Sequence, residues 1–432
     1  MRIFTPLTLA VLVAGSAVAA TAQEPLPHQH TEPEKLGKVH FETSCRPAGS
    51  AAFDRAVALL HSFSFSSSKR AFDAILADDP ACAMAYWGVA MSEWGNPFAG
   101  MRSGAMLERG GAAAARGLAT GSPTPRERNY LTAVAALYQD HATVGHRTRI
   151  VNYERAMEAL HATYPDDREA TAFYALAVNQ TALPTDKTFA NQLKAAALLE
   201  ALEKTDPDHP GLAHYIIHAY DVPPLAPRAV DAARRYAAIA PDAPHALHMP
   251  SHTFTRLGLW RESIESNNAS AAAARRAKSP GDELHAYDYL VYAYLQTAHD
   301  SDAKRVIEIA RAVGQANTAG GLGQGNVAAP AGGGVGAYAL TAMPARYALE
   351  RGQWTEAAQL QELQGATPAV QAMTLFTRAL GLARGGGDLV AARSDLATLV
   401  SLQQKLAGNN QAYDAEQVEI QRRSVEAWIL HA

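Results

Sequence analysis

Apolar residues recur at three- and four-residue spacing along most of this chain. "FDRAVALLHSF" (53–63), "RNYLTAVAALYQDH" (128–141), "NYERAMEALHATY" (152–164), "QLKAAALLEALEKT" (192–205) and "PRAVDAARRYAAIAP" (227–241) each place them on one face of a helix. Alternation of the strand type is nearly absent. Pro, Asp and Gly punctuate the helical pieces, which predicts helical hairpins. Apolar helices run into Pro80, Pro165, Pro207 and Pro241, and the last two are 34 residues apart, a spacing at which stacked hairpins repeat. The pattern breaks at "NTAGGLGQGNVAAPAGGGVGAY" (317–338), whose glycines predict a loop. The division expected is therefore a mobile N-terminal segment over 23–48, helical repeats over 49–316, a Gly-rich loop over 317–338 and C-terminal hairpins over 339–432.

The histidines follow the repeat. "LAHYIIHAYD" carries His214 and His218, and "HALHMPSHTF" carries His245, His248 and His252. His214 and His248 each lie seven residues after their proline, Pro207 and Pro241; His218 and His252 each lie eleven after. Two imidazoles at i and i+4 share a helix face and can reach one ion, and a neighbouring helix 8–10 Å away can supply the rest. Imidazole suits copper, zinc, iron or nickel. His61, His245 and His285 are further candidate ligands, and with so many histidines copper or zinc is favoured over calcium or magnesium. Asp221 and Glu283 are candidate supplementary ligands or bases. A repeat could equally have copied a structural histidine. Pro250 either kinks its helix or marks its start, and in the second case the i, i+4 geometry of His248 and His252 fails.

Composition narrows the partners. Charged residues make up 19% of the chain and the net charge is −4, with no basic run, so nucleic-acid binding has no electrostatic footprint. "MRIFTPLTLAVLVAGSAVAATAQ" reads as a secretory signal peptide over residues 1–22: Arg2, a short apolar run, then small residues at a cleavage site. That predicts a periplasmic or secreted protein, and no later stretch is long and apolar enough to span a bilayer. Cys45 and Cys82 are the only cysteines. In an oxidising compartment they form a disulfide most simply, worth roughly 4 kcal/mol on the chain-entropy model; two separate buried thiols are the other reading.

"DPACAMAYWG", "LAHYIIHAYD" and "HMPSHTFTRLGLW", with the short turns at Gly258–Trp260 and Gly352–Trp354, resemble a group of exported bacterial tetratricopeptide repeat (TPR) proteins, a family of unclear biochemical role. The resemblance spans most of residues 50–430. It implies an all-α, TPR-like α-solenoid of helical hairpins curled around a concave groove. It also implies that His214, His218, His248 and His252 face that groove from the first helices of successive repeats. Arg256 and Arg346 are candidate contacts for an anionic group. Tyr287, in "YDYLVYAYLQ" with Tyr289, Tyr292 and Tyr294, belongs either to a substrate platform or to helix packing. Two functions are expected. One is a protein that binds copper or zinc through these histidines, with a metal-dependent oxidase or hydrolase acting on a small molecule as its catalytic form. The other is a non-catalytic scaffold that binds a peptide or an envelope protein in the same groove.

Overall fold

The computed structural model describes residues 34–100, 102–120, 124–319, 335–409 and 411–432. The expected signal peptide, the first part of the N-terminal segment and residues 320–334 of the Gly-rich loop lie outside them. Among the described residues the chain is all helix and connection. The first half runs α1 (Ser50–His61), α2 (Phe65–Asp78), α3 (Ala83–Trp94), α4 (Gly104–Thr120), α5 (Pro125–Ala136), α6 (His146–Thr163), α7 (Arg168–Gln180), α8 (Ala190–Glu203), α9 (Pro210–Ala219) and α10 (Val230–Ile239). The second half runs α11 (Pro244–His248), α12 (Pro250–Arg256), α13 (Trp260–Arg276), α14 (Pro280–Gln296), α15 (Asp300–Ala319), α16 (Val335–Glu350), α17 (Trp354–Ala358), α18 (Pro368–Arg384), α19 (Leu389–Gly408) and α20 (Ala412–His431). Helix therefore extends into both ends of the stretch expected as loop.

Packing follows chain order, as in a TPR-like solenoid. Each second helix lies between its own first helix and the next, as α8 does with α7 and α9, and α13 with α12 and α14. First helices also meet first helices: α7 with α9, α9 with α12, α11 with α14, α14 with α16. One contact departs from this order. α1 packs on α9, so the array curls until its first helix reaches the fifth hairpin. Lys35–Ala432 form one compact unit, and no described helix is long and apolar enough to cross a membrane.

Prolines start many first helices. Pro210, Pro244, Pro250 and Pro280 all stand in the first turn of their helices, where the missing N–H has no partner to lose. Where helices approach most closely, glycine is required: a Cβ on Gly88 would meet the Phe72 ring at 2.3 Å.

Residues 34–48, the described part of the segment expected to be mobile, lie packed on the array. Phe41 is buried against Phe53, Trp87 and Tyr130, with ring centroids 5.1–5.5 Å away. Its backbone N–H donates to Asp54, and that of Ser44 donates to Glu127. The Cys45–Cys82 disulfide is formed and ties this segment to the start of α3.

Candidate metal centre

Three consecutive first-helix rows carry the histidines. His214 and His218 project from α9, His245 and His248 from α11, His252 from α12 and His285 from α14. They gather as two triads. His214, His218 and His245 offer one ligand atom each within 4.8 Å of one another, and so do His248, His252 and His285. The triads abut. His245–His248 and His218–His252 ring centroids are 5.9 and 6.2 Å apart, no farther than His218 and His245 within one triad at 6.4 Å.

Pro250 breaks the helix without spoiling the site. The backbone at Met249 stays helical (φ −54°, ψ −35°), so α12 continues the direction of α11 while Pro250 supplies no N–H to the ladder. His248 and His252 remain on one side, their Nε2 atoms 3.1 Å apart.

Hydrogen bonds fix the protons on these rings. The Asn267 amide nitrogen donates to the Ser263 carbonyl, which leaves its oxygen to face His248 Nδ1 at 2.7 Å. His248 therefore donates from Nδ1. His252 donates from Nδ1 to Asp221 Oδ2 at 2.8 Å, and Asp221 is itself held by Arg256 at 2.8 Å. His214 donates from Nδ1 to the His61 carbonyl at 2.6 Å. In the neutral ring each such histidine keeps a lone pair on Nε2. His248 Nε2 and His252 Nε2 meet at 3.1 Å, and the Tyr289 hydroxyl lies 3.3 Å from His252 Nε2. In the other triad Nε2 of His214, His218 and His245 are all buried and unpartnered among the described residues. A buried acceptor without a partner costs about 1–3 kcal/mol, so this is an expensive arrangement for a purely structural cluster. Protonation is no remedy in the first triad. Burial, reinforced by neighbouring imidazoles, pushes His214 down to about 3 and His218, His245 and His248 well below their ordinary value; burial and His252 push His285 down to about 3.

Aromatic rings enclose the first triad. Phe63 lies against His214 at 4.3 Å and stacks on His218 and His245 at 5.4 Å, and Phe98 covers His218 at 4.5 Å. Phe63 sits in the turn between α1 and α2 with φ +51°, a left-handed conformation costing a bulky residue about 1–2 kcal/mol.

His61 stands behind the triads. Its Nε2 meets Glu169 at 2.8 Å, its Nδ1 meets Tyr215 Oη at 2.9 Å, and Glu169 binds His209 Nε2 at 3.0 Å. Burial alone would raise Glu169, but the two imidazoles hold it below the usual carboxylate range. His61 thus braces the site through its carbonyl, with its ring engaged elsewhere. Gly211 lets α9 approach it, since a Cβ there would lie 2.5 Å from His61 Nδ1. A cleft of about 520 Å³ reaches this group from outside, beside Arg126, Asp166 and Arg168.

The remaining candidates are placed as follows. Arg256 is engaged by Asp221. Arg346 pairs with Asp288 at 2.6 Å and lies over the Tyr292 ring. Tyr287 donates to Glu283 and accepts from Arg275, away from the triads. Of the four tyrosines in that stretch, Tyr289 touches the triads, with His248 at 4.7 Å and His252 at 5.1 Å, while Tyr236 stacks on His214 at 5.2 Å. Asn267 and Glu169 were not singled out by their sequence context, and Tyr289 only as one of four tyrosines in its helix. Tyr289 did carry a signal: His285 and Tyr289 repeat the four-residue spacing of His214–His218 and His248–His252.

Among proteins of known structure, the chain is similar to one in the APC/C hetero-tetramer Cut9–Hcn1, at 10% identity over 89% of this chain and 74% of that one, with a TM-score of 0.35. It is also similar to one in Naa15/Naa10 bound to HypK-THB, at 12% identity over 86% of this chain and 62% of that one, with a TM-score of 0.24; this chain thus spans less than two thirds of the second chain's length. No protein-family model matches the chain, and no curated protein matches it.

Proposed function

We propose that this protein binds a transition metal, copper in preference to zinc, through His214, His218 and His245 on one side and His248, His252 and His285 on the other. The observation that carries the reading is the set of Nε2 atoms of His214, His218 and His245, buried together with no partner among the described residues. A cation between them would turn unpaired acceptors into ligands. The outer partners fit as well. Imidazoles that ligate metals donate their other N–H to a carboxylate, amide or carbonyl oxygen, as His252, His248 and His214 do to Asp221, Asn267 and His61. Both triads are electrically neutral ligand sets, and Asp221 is the carboxylate in contact with them. A buried neutral set favours the lower charge of Cu(I) over a dication. Three protein ligands leave a coordination position open, which supports oxidase chemistry with copper or hydrolysis with zinc. The signal-like residues 1–22 and the Cys45–Cys82 disulfide support a periplasmic or secreted location.

The hairpin array itself favours a second reading, a scaffold whose histidine-lined face hydrogen-bonds a peptide or an envelope protein. Elemental analysis separates the two. The purified protein, exposed to copper or zinc and then desalted, is expected to retain two equivalents, and a folded His214→Ala/His248→Ala variant to lose them. Retention of no metal by the folded parent protein overturns the metal reading and leaves the scaffold.

A further inference from the structure

The two triads differ in what stands beside them. Against the first, Phe63 and Phe98 offer no ligand atom. Tyr215 commits its hydroxyl to His61. Tyr236 lies flat on His214, at an interplanar angle of 17°, so its oxygen is out of the plane in which the imidazole lone pair points. Against the second stands Tyr289, which touches all three histidines. Its ring centroid lies 4.7 Å from that of His248, 5.1 Å from His252 and 5.5 Å from His285.

Distances decide what its hydroxyl can do. Four ligand atoms held tetrahedrally at about 2.0–2.1 Å from one ion lie about 3.3–3.4 Å from one another. His248 Nε2 and His252 Nε2 are 3.1 Å apart, and Tyr289 Oη is 3.3 Å from His252 Nε2. Two edges of such a tetrahedron are therefore near length already, with His252 at their shared corner. His285 offers a further atom within 4.8 Å of those of His248 and His252. It stands one turn before Tyr289 on α14, on the same helix face. Asp221 fixes the shared corner, since it binds His252 and is held in turn by Arg256.

We propose that Tyr289 is the fourth ligand of the second triad, which becomes a closed site of three histidines and one tyrosinate for a divalent ion, while the first triad keeps three ligands. The inference rests on the metal reading above and refines it. On binding, the Tyr289 O–H bond breaks, an oxygen–metal bond forms and the proton leaves to bulk water; no electron moves. An anionic oxygen is a harder donor than imidazole and favours Cu(II) or Zn(II) over Cu(I). The preference for Cu(I), argued from neutral ligands, then belongs to the first triad. Four protein ligands leave no position for a substrate, whereas three do. The second ion is thus a fixed part of the structure, and any chemistry falls to the first.

The experiment loads the full chain with two equivalents of Cu(II), counts the copper retained, and records visible absorption and resonance Raman scattering. Tyrosinate bound to Cu(II) gives a charge-transfer band that enhances phenolate vibrations; imidazole alone gives neither. The expected result is two coppers and the phenolate signature. Tyr289→Phe, which keeps the ring, should lose the signature and still retain copper in the first triad. His218→Ala, altered in the first triad, should keep the signature. Retained copper without phenolate vibrations in the folded parent protein would overturn the inference while the metal reading stands. A signature that survives in Tyr289→Phe, or vanishes in folded His218→Ala, overturns it as well. No retained metal in the parent would remove both.

Discussion

At the scale of single residues, the candidate site is an exercise in where protons cannot go. Asp221, Asn267 and the His61 carbonyl each hold a proton on Nδ1 and so aim an Nε2 lone pair inward. On the proposed metal reading Asp221 does most, since its charge would also stabilise a cation one imidazole away. Asp221→Asn keeps the shape and removes the charge. It is expected to weaken copper binding about 10–100-fold, the usual effect of losing an outer-shell partner, in a competition titration against a chelator. Unchanged affinity would mean that Asp221 serves only Arg256.

At the scale of elements, much of the arrangement was legible. The helices follow from apolar spacing, and the grouping of His214, His218, His248 and His252 follows from their common offset to Pro207 and Pro241. The frame was slightly misplaced. The prolines that start the helices are Pro210, Pro244 and Pro280. Counted from them, His214 and His248 stand four residues in, and His285 stands five. Its register therefore differs from the others by one residue, and Tyr289 takes the place of a second histidine. What the sequence concealed was lateral: Glu169, Asn267 and the His61 carbonyl reach the site across packed helices, and no periodicity records such contacts. Glycine at close approaches is equally silent in a single sequence. A Cβ on Gly381, in α18, would lie 2.4–2.8 Å from backbone atoms of Trp354, Ala357 and Ala358 in α17. Backbone cannot rotate aside, so Gly381→Ala is expected to destabilise the protein by about 1–3 kcal/mol or more in a urea titration. Because α17 and α18 lie beyond the triads, metal stoichiometry should be unaffected.

At the scale of the whole molecule, the histidines make stability depend on acidity. His214 and His285 titrate at about 3 when folded, His218, His245 and His248 also well below 6.5, and unfolded histidine near 6.5. Between those limits the unfolded chain binds more protons, so stability falls as pH drops below 6.5. It stops falling only at the folded values. Each group contributes a slope of at most about 1.4 kcal/mol per pH unit. The metal-free protein should therefore melt at steadily lower temperature from pH 7 to pH 5 in calorimetry; a flat profile would show that the rings are already protonated or solvated. Reduction of Cys45–Cys82, which spans 37 residues, should remove up to about 4 kcal/mol and release the segment around Phe41 to proteolysis at neutral pH.

His61 lends its carbonyl to His214 across 153 residues of chain. The docking of α1 on α9 is thus a long-range event, slow beside the closing of each hairpin. A chain emerging from the ribosome exposes His214, His218, His245 and His248 well before α14 brings His285. Metal offered at that stage would meet loose imidazoles free to grip it in wrong combinations. On the proposed metal reading, loading would therefore belong after folding: the array would assemble empty and receive its ions as a finished receptacle. That order is the reverse of the small zinc domains, in which the ion itself drives the chain to fold.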